Sequence, residues 1–236
     1  MGIQRLYFII ADISGYTRFV TAHKESLLHA ERIIGNLLEA VMSEAHTPIR
    51  VHELLGDAVT MYAPAEGISS DEIYACVQRM HTAFTDVEAN HVSSCSICSC
   101  DACSNVGKLR LKIICHTGDA VFTSVGGMQK ISGEDVILTH RWLKNAIPSR
   151  EYFLFTDAFT EELDTALKNN FTRHQEVLEG LGMKIAYVWN LSTEIVPAKV
   201  SFLQRLRRHT QLNIHALKRN LGAQQKAFRN LQFTDE

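Results

Sequence analysis

The sequence predicts an α+β fold in which helices pack against an antiparallel sheet. Short apolar runs rich in β-branched and aromatic residues, typical of buried strands, alternate with longer segments whose apolar residues recur at helical spacing. The first elements follow the order strand, helix, strand, strand, helix, strand. This is the βαββαβ order of a ferredoxin-like core, here extended by additional strands and helices.

The individual elements follow from the same patterns and from the residues that interrupt them. Gly56 and Asp57 separate two strand-like runs and predict a hairpin turn, and Gly118 is expected to turn the chain between two separate strands. Strands are predicted over residues 6–13, 50–55, 58–63, 108–116, 119–125, 152–156, 176–179 and 184–191. Helices are predicted over residues 26–46, 69–90, 135–147 and 160–169, all on one face of the sheet.

The composition limits the classes of protein to which this chain can belong. The 236 residues are 46% hydrophobic and 21% charged, which suits one large domain over residues 1–192 with an extension over residues 193–236. A formal net charge of -2 gives no field that would attract nucleic acid or a membrane surface. Without a signal peptide or a run of about 20 apolar residues, the chain is expected in the cytoplasm, with its cysteines free or bound to metal.

Two carboxylates are placed where a phosphate-binding metal site needs them. Asp12 ends the first predicted strand, and Asp57 lies in the hairpin after the second. If these strands are neighbours, the two side chains converge at one end of the sheet. Such a pair suits two Mg²⁺ or Mn²⁺ ions that hold triphosphate oxygens. The alternative is that Asp12 caps the following helix and that Asp57 only forms the turn.

A cysteine-rich insert spans residues 91–104. The spacing C-x₂-C-x-C-x₂-C predicts a structural Zn²⁺ site, in which His91 or Cys115 could replace one thiolate. A redox-active or merely exposed loop is the main alternative, and an iron–sulfur cluster is a weaker one. The four predicted ligands are Cys95, Cys98, Cys100 and Cys103.

The extension over residues 193–236 has the composition of a basic amphipathic helix. Such a helix can dock on its own domain, pair with a partner helix or lie on an anionic membrane, and packing within the homodimer is favoured. Nucleic-acid binding is disfavoured because basic and aromatic residues are not interleaved.

Four segments resemble, in order, the motifs of the class III adenylyl and guanylyl cyclase catalytic domain. Residues 8–17 (FIIADISGYT) are similar to F-x-D-I-x-G-F-T, and residues 55–58 (LGDA) to the I-G-D segment. Residues 111–118 (LKIICHTG) are similar to G-I-H-x-G, and residues 133–141 (GEDVILTHR) to G-D-x-V-N-x-A-x-R. The resemblance covers about residues 6–192, and the cysteine insert is similar to that of a divergent bacterial cyclase-like subfamily.

The resemblance implies a class III nucleotidyl cyclase fold and a role for each matching residue. Asp12 and Asp57 match the carboxylates that hold two Mg²⁺ or Mn²⁺ ions, and Arg141 matches the arginine that stabilises charge at the reacting phosphate. The family forms head-to-tail dimers, so a homodimer with interfacial sites is implied. The implied phosphate-binding turn comprises the backbone of Ile13 together with Ser14, Gly15, Tyr16 and Thr17.

Three positions depart from the adenylyl cyclase pattern. Glu53 stands where the adenine-reading lysine is found, and Lys130 stands where its aspartate partner is found. A carboxylate acceptor and an ammonium donor match guanine and mismatch adenine, although UTP also fits and a simple ion pair is the alternative. Ile137 replaces the asparagine that orients the ribose, and it cannot donate a hydrogen bond.

Two functions therefore compete. The first is a metal-dependent nucleotidyl cyclase that converts GTP, or another non-adenine nucleoside triphosphate, to a 3′,5′-cyclic nucleotide and pyrophosphate. The second is a catalytically weak or inactive homologue that binds nucleotide and signals as a dimer. The retained carboxylates and Arg141 favour the enzyme, whereas Ile137 favours the binding protein.

Overall fold

The computed structural model describes residues 2–22, 27–94 and 101–191, which form one eight-stranded sheet with helices packed against it. The strands are β1 (Ile3–Ser14), β2 (Arg50–Leu55), β3 (Ala58–Pro64), β4 (Arg110–Val125), β5 (Met128–Ser132), β6 (Tyr152–Thr156), β7 (Thr172–Leu178) and β8 (Gly182–Asn190). The helices are α1 (Tyr16–Ala22), α2 (Leu27–Ser43), α3 (Ser70–Ser94), α4 (Asp101–Asn105), α5 (Glu134–Arg141) and α6 (Asp157–Glu162).

The sheet has the strand order β2-β3-β1-β4-β6-β8-β7, and β5 pairs with the far end of β4. Strand β1 is central and runs antiparallel to both β3 and β4. The predicted α+β fold with its βαββαβ core is confirmed. The pairing of β4 with β6 is parallel, so the sheet is mixed rather than wholly antiparallel.

Helices cover both faces of the sheet, not one as expected. In β1, Ile9 and Ala11 point into the large core with α2 and α3, whereas Leu6 and Phe8 point to the other face and pack with Val136 of α5. This alternation follows from the period-two geometry of a strand. Strand β1 is buried on both faces because α5 covers the second one, and the site described below lies partly on that face.

Strand β4 differs from its prediction, because it runs through Gly118 without a turn. The side chain of Asp135 on α5 occupies the space in which a Cβ at residue 118 would lie. Glycine therefore marks a close approach between helix and strand here, which is another common reason for glycine in a strand. Strand β5 was not predicted; it follows the turn at Gly126 and Gly127, both of which have positive φ.

Two helices are shorter than predicted. Helix α5 ends at Arg141 instead of continuing to residue 147, because the next amides bond three residues back: Leu143 N to His140 O at 3.2 Å and Lys144 N to Arg141 O at 3.0 Å. These bonds tighten the helix end, after which the fully buried Trp142 packs on the sheet. The helix predicted over residues 160–169 is replaced by α6 and a separate 3₁₀ turn, Leu167–Asn170.

Several predictions concern residues outside those described. The tail over residues 193–236 lies there, as do Cys95, Cys98 and Cys100 of the insert. Within the described ranges, no helix has both the length and the hydropathy needed to cross a membrane.

Candidate functional site

Asp12 and Asp57 lie at the same edge of the sheet. In the register of β1 and β3, Asp12 is opposite Ala58, the residue that follows Asp57. The turn that carries Asp57 is held against β1 because Ile13 N–H donates to the Asp57 carbonyl at 3.1 Å. Burial raises the pKa of the Asp57 carboxyl, and the neighbouring Asp12 carboxylate raises it further. The structure thus brings the two predicted carboxylates together, although β1 and β2 are not neighbours as the prediction assumed: β3 lies between them and carries the turn of Asp57 to β1.

Lys112 of β4 is a third charged group at this edge, and sequence reasoning missed it. It is directly opposite Asp12 in the β1–β4 register, and its Nζ lies 3.0 Å from Asp12 Oδ2. The same Nζ donates to the carbonyl of Leu143 at 3.2 Å. A lysine inside the apolar run of β4 was the available signal, but only the strand register identifies its partner. We call Asp12, Asp57 and Lys112 the carboxylate site.

The predicted phosphate-binding turn connects β1 to α1. Gly15 has φ of 96°, a left-handed conformation that favours glycine, and its carbonyl accepts the first helical bond from Phe19 N at 2.9 Å. Arg150 Nη2 lies 2.9 Å from the position of a Cβ at residue 15 and donates to Lys108 O at 2.5 Å. The guanidinium group of Arg150, which the sequence did not indicate, therefore lies beside the turn.

The other predicted members of this turn have internal partners. The Ile13 N–H donates to the Asp57 carbonyl oxygen. Ile13 therefore holds the carboxylate site together, and its N–H does not face an anion. The Tyr16 hydroxyl donates to Glu31 of α2 at 3.1 Å, and the Thr17 carbonyl accepts from Thr21 Oγ1 at 2.7 Å. Ser14 is the last residue of β1.

A narrow cleft that is open to solvent lies on the α5 face of the sheet, and we call it the α5 cleft. Helix α5 contributes Val136, Thr139 and His140, which share one helix face because they are spaced at i, i+3 and i+4. Thr139 and His140 line the cleft and so lie on a different face of α5 from the exposed Ile137. The cleft is lined by Phe8, Ile10, His52, Thr60, Met61, Tyr62, Ile131, Val136, Thr139 and His140.

A β-bulge brings His52 and Glu53 to this cleft. Val51 is opposite Met61 and Glu53 is opposite Thr60, so His52 is the extra residue in β2. The His52 ring packs against Tyr62 at a centroid distance of 6.1 Å. Burial lowers the pKa of His140, the charge of Glu53 raises it and His52 lowers it. The bulge therefore groups two histidines and a glutamate that have no recognisable spacing in the sequence.

Lys130, the predicted partner of Glu53, is exposed on β5, opposite Thr123 of β4. Among the ion pairs of the described residues there is none between Glu53 and Lys130, so the alternative of a simple ion pair is not seen.

Ile137 and Arg141 lie one turn apart on α5 and face away from the cleft. Ile137 is 53% exposed. Arg141 Nη1 forms an ion pair with Glu179 Oε2 at 2.7 Å, and Glu179 follows β7. In the described part of the chain, no hydrogen bond or ion pair joins Arg141 to Asp12 or Asp57. One chain therefore brings together the carboxylates but not the arginine predicted to act with them.

His116 makes two side-chain contacts inside the fold. It is 2% exposed, and its Nδ1 and Nε2 meet Thr156 Oγ1 at 2.7 Å and Asp135 Oδ1 at 3.0 Å. Asp135 also accepts from Asp119 N at 2.6 Å, and its hydrogen bond with His116 is the main factor that lowers its pKa. The group fastens α5 to β4 beneath the α5 cleft.

Cys103 is the one predicted zinc ligand that lies within the described residues. It is buried in α4, and its Sγ lies 3.5 Å from His29 Nε2 of α2. Within those residues, no group of three or more His, Cys, Asp or Glu side chains could hold a metal ion. Cys76 and Cys115 are buried in the core.

Two comparisons by sequence identify relatives. Residues 34–152 match the model of a family described as "Protein of unknown function (DUF2652)". An uncharacterized protein of Mycobacterium tuberculosis is 30% identical over 195 residues, which cover 80% of this chain and 89% of that protein.

Solved structures with the same fold are cyclase domains. The adenylyl cyclase CyaB from P. aeruginosa has a TM-score of 0.54 at 14% identity, covering 82% of this chain and 96% of its own. The guanylyl cyclase Cya2 has a TM-score of 0.53 at 13% identity, covering 85% and 98%. A class III adenylyl cyclase-like ATP-binding protein from Pseudomonas aeruginosa has a TM-score of 0.56 at 16% identity, covering 71% and 36%. The chain therefore has the fold of class III adenylyl and guanylyl cyclase domains and belongs to the family described as DUF2652.

Proposed function

We propose that this protein binds a nucleoside triphosphate at the carboxylate site and converts it to a 3′,5′-cyclic nucleotide and pyrophosphate. The observation that carries the proposal is the convergence of Asp12 and Asp57. Burial raises the pKa of the Asp57 carboxyl, and the charge of Asp12 raises it further. Two carboxylates held this close repel each other, and cations relieve that repulsion. A structural role as cap and turn former would not require both charges at one edge.

The donor set of the carboxylate site fits divalent cations. Carboxylate oxygens are the preferred ligands of Mg²⁺ and Mn²⁺, which commonly share a site between one or two carboxylates and the phosphates of a substrate. Asp12 and Asp57 would hold two such ions, which would neutralise the triphosphate and activate the attacking hydroxyl. Lys112 already balances the charge of Asp12 and stands where it would meet phosphate oxygens.

Besides the nucleotide, the protein and the two cations, the proposed reaction requires only water as the proton acceptor. The ribose 3′-oxygen forms a bond to the α-phosphorus, and the bond from that phosphorus to the bridging oxygen breaks. Pyrophosphate leaves with the electron pair, and the hydroxyl proton passes to water. Arg141 would stabilise the charge that develops on the phosphate.

A homodimer would complete the site. Arg141 and Ile137 lie on the outward face of α5 and make no contact with Asp12 or Asp57. In a head-to-tail pair, each nucleotide would meet the carboxylate site of one copy and the partner's Arg141. We place this homodimer in the cytoplasm.

The α5 cleft supports a preference for a base other than adenine. Glu53 acts on His140 through its charge, so a carboxylate stands at the edge of the cleft. Carboxylates accept hydrogen bonds from the N–H groups of guanine, and Lys130 would donate to its carbonyl. GTP is therefore the favoured substrate, and UTP, with a similar edge, is the next candidate.

One observation favours the second candidate function, a nucleotide-binding protein with little or no turnover. Ile137 offers no donor to the ribose, and Thr139 and His140 face the α5 cleft rather than the side of Ile137. Losing one orienting contact of this kind costs about 10²–10³ in rate. Such a protein would bind nucleotide and signal as a dimer.

We also propose, from the spacing of Cys95, Cys98, Cys100 and Cys103, that the insert binds a structural Zn²⁺. This site would be separate from the carboxylate site, because thiolates suit zinc and carboxylates suit magnesium or manganese.

Product formation from ATP, GTP, UTP and CTP with Mn²⁺ tests the main proposal. The intact protein is compared with Asp12→Ala, and nucleotide binding is measured in parallel. A cyclic product that disappears in the variant supports the enzyme and identifies its base. Metal-dependent binding without product from any nucleotide would replace the enzyme by the binding protein, and the absence of both would contradict the two candidates together.

A further inference from the structure

Arg150 lies at the edge of the sheet that carries the carboxylate site. Asp12 is opposite Lys112, and Lys112 is opposite Tyr152, so these three residues form one row across β1, β4 and β6. The chain enters β6 at Tyr152 from the edge towards which β1 runs, because β1 is antiparallel to β4 and β4 is parallel to β6. Arg150, two residues earlier, is therefore on the same side of this row as Ser14, the last residue of β1.

The guanidinium group of Arg150 lies against Gly15 of the predicted phosphate-binding turn. Nη2 is 2.9 Å from the position that a Cβ at residue 15 would occupy, so a side chain there would displace the guanidinium group. The same Nη2 donates to the carbonyl of Lys108, which holds the group in place. A guanidinium group carries five N–H donors, so this bond leaves most of them available.

Arg150 differs from the other donors of this region in having no acidic partner. The Ile13 N–H is used within the fold by the Asp57 carbonyl, and Lys112 Nζ is paired with Asp12. Arg150 is exposed, and none of the ion pairs among the described residues includes it. An arginine without a carboxylate partner offers its planar fork of N–H groups to phosphate oxygens, which it can bind in bidentate fashion.

The order of the residues along β1 indicates which phosphate Arg150 would meet. Asp12 precedes Gly15 by three residues, so phosphates that begin at ions on Asp12 would reach the turn with their far end. We infer that Arg150 binds the terminal phosphate of a nucleoside triphosphate whose metal ions are held at the carboxylate site. The inference rests on the proposed function and adds the residue that distinguishes a triphosphate from shorter phosphates.

The affinities of the tri-, di- and monophosphate of one nucleoside test the inference in the full-length protein. Binding of 3′-deoxy-GTP, 3′-deoxy-GDP and 3′-deoxy-GMP is measured with Mn²⁺ by calorimetry, and the missing 3′-hydroxyl prevents cyclisation, so the readout is binding alone. Arg150→Ala should weaken binding of the triphosphate by about 10- to 100-fold, as expected for hydrogen bonds between charged groups. Binding of the diphosphate and the monophosphate should change by less than about threefold.

Two further variants control for charge and for folding. Arg150→Lys keeps a positive charge without the planar fork, so its affinity for the triphosphate should lie between those of the wild type and Arg150→Ala. The ratio of triphosphate to diphosphate affinity in Arg150→Lys carries the test if Arg150→Ala does not fold. Arg50→Ala removes another exposed arginine, at the end of β2 far from the Asp57 turn, and should bind all three nucleotides like the wild type.

Two results would overturn the inference, and they are distinguishable. An equal loss for all three nucleotides in Arg150→Ala, or no loss for any of them, would leave the arginine only the role of holding the chain at Lys108, and the proposed function would stand. Wild-type protein that binds none of the three nucleotides would contradict the guanine nucleotide site of the proposed function, and the inference with it.

Discussion

The carboxylate site and the outward face of α5 differ in how closely their residues match the cyclase motifs. The carboxylate site holds Asp12 and Asp57 on strands whose register fixes them, and Lys112 adds a balancing charge from the next strand. The outward face of α5 keeps Arg141 but presents Ile137 where an asparagine is expected. The part of the proposed site that would meet phosphates thus matches the cyclase motifs better than the part that would meet ribose.

This difference has a physical basis. Phosphate and metal recognition depends on groups fixed by the backbone, and Ile13 N–H ties the Asp57 turn to β1. Recognition of ribose depends on single side chains of an exposed helix, which can change without disturbing the core. The comparison therefore separates binding from catalysis, and each prediction below tests one side of it.

The largest effect is expected from Asp57→Asn. Replacing the carboxylate removes a metal ligand, so cyclic nucleotide formation with Mn²⁺ should fall by about 10³-fold. If the wild type only binds nucleotide, the metal dependence of that binding should be lost instead. Asp86→Asn, an exposed position of α3, is the control. Unchanged activity and unchanged metal dependence in Asp57→Asn would contradict the carboxylate site.

Ile137→Asn should act in the opposite direction. If the missing ribose contact limits turnover, the asparagine should raise the rate of product formation by about 10²-fold while nucleotide affinity changes little. Ile137→Ala tests whether removing the bulky side chain is enough and should give no comparable gain. An unchanged rate in Ile137→Asn would contradict the ribose account and would favour the binding protein.

The pH dependence of stability should reveal the burial of the Asp57 carboxyl and its repulsion by Asp12. Because the pKa of Asp57 is raised above its ordinary value of 3.8, the folded state binds that proton more tightly than the unfolded state. This contribution to the free energy of unfolding is present below pH 3.8 and is lost as pH rises through the raised pKa. Denaturant unfolding of the metal-free protein should show the loss, and Asp57→Asn should lack it. If the free energy of unfolding depended on pH in the same way in the wild type and in Asp57→Asn, a raised pKa of Asp57 would be contradicted.

The smallest effect is expected from Glu179→Gln. The ion pair between Glu179 and Arg141 is exposed, with 83% and 39% of the side chains accessible, so its loss should change the free energy of unfolding by less than about 0.5 kcal/mol. If Arg141 leaves Glu179 to meet a phosphate, nucleotide affinity should rise by about twofold. The gain should be absent when Arg141 is replaced by alanine, and a gain that persists there would exclude this explanation.

Much of the fold was predictable because local signals agreed with it. The strands Arg50–Leu55 and Tyr152–Thr156 were predicted with their observed bounds, since turn residues flank one and a proline precedes the other. The continuous β4 was not predictable, because the reason for Gly118 is Asp135 of a helix that docks only in three dimensions.

The candidate site likewise contains some residues that the sequence could identify and others that it could not. The convergence of Asp12 and Asp57 was predicted, but not its cause: β1 pairs with β3, which follows Asp57, and not with β2. His52 and His140 were not predictable, because a bulge in β2 and the docking of α5 bring them together. The partnership of Lys112 with Asp12 depends on register, and that of His29 with Cys103 on helix packing. Neither leaves a pattern in the sequence.

The unbroken β4 also determines where the chain can change length. It carries Lys112 near one end, His116 in its middle and the hairpin with β5 at the other end. Adding or deleting one residue between these points would reverse the face of every side chain beyond it and would separate Lys112 from Asp12 or His116 from Asp135. Extra residues are accommodated before Arg110, where β4 has not begun, and that is where the cysteine insert lies.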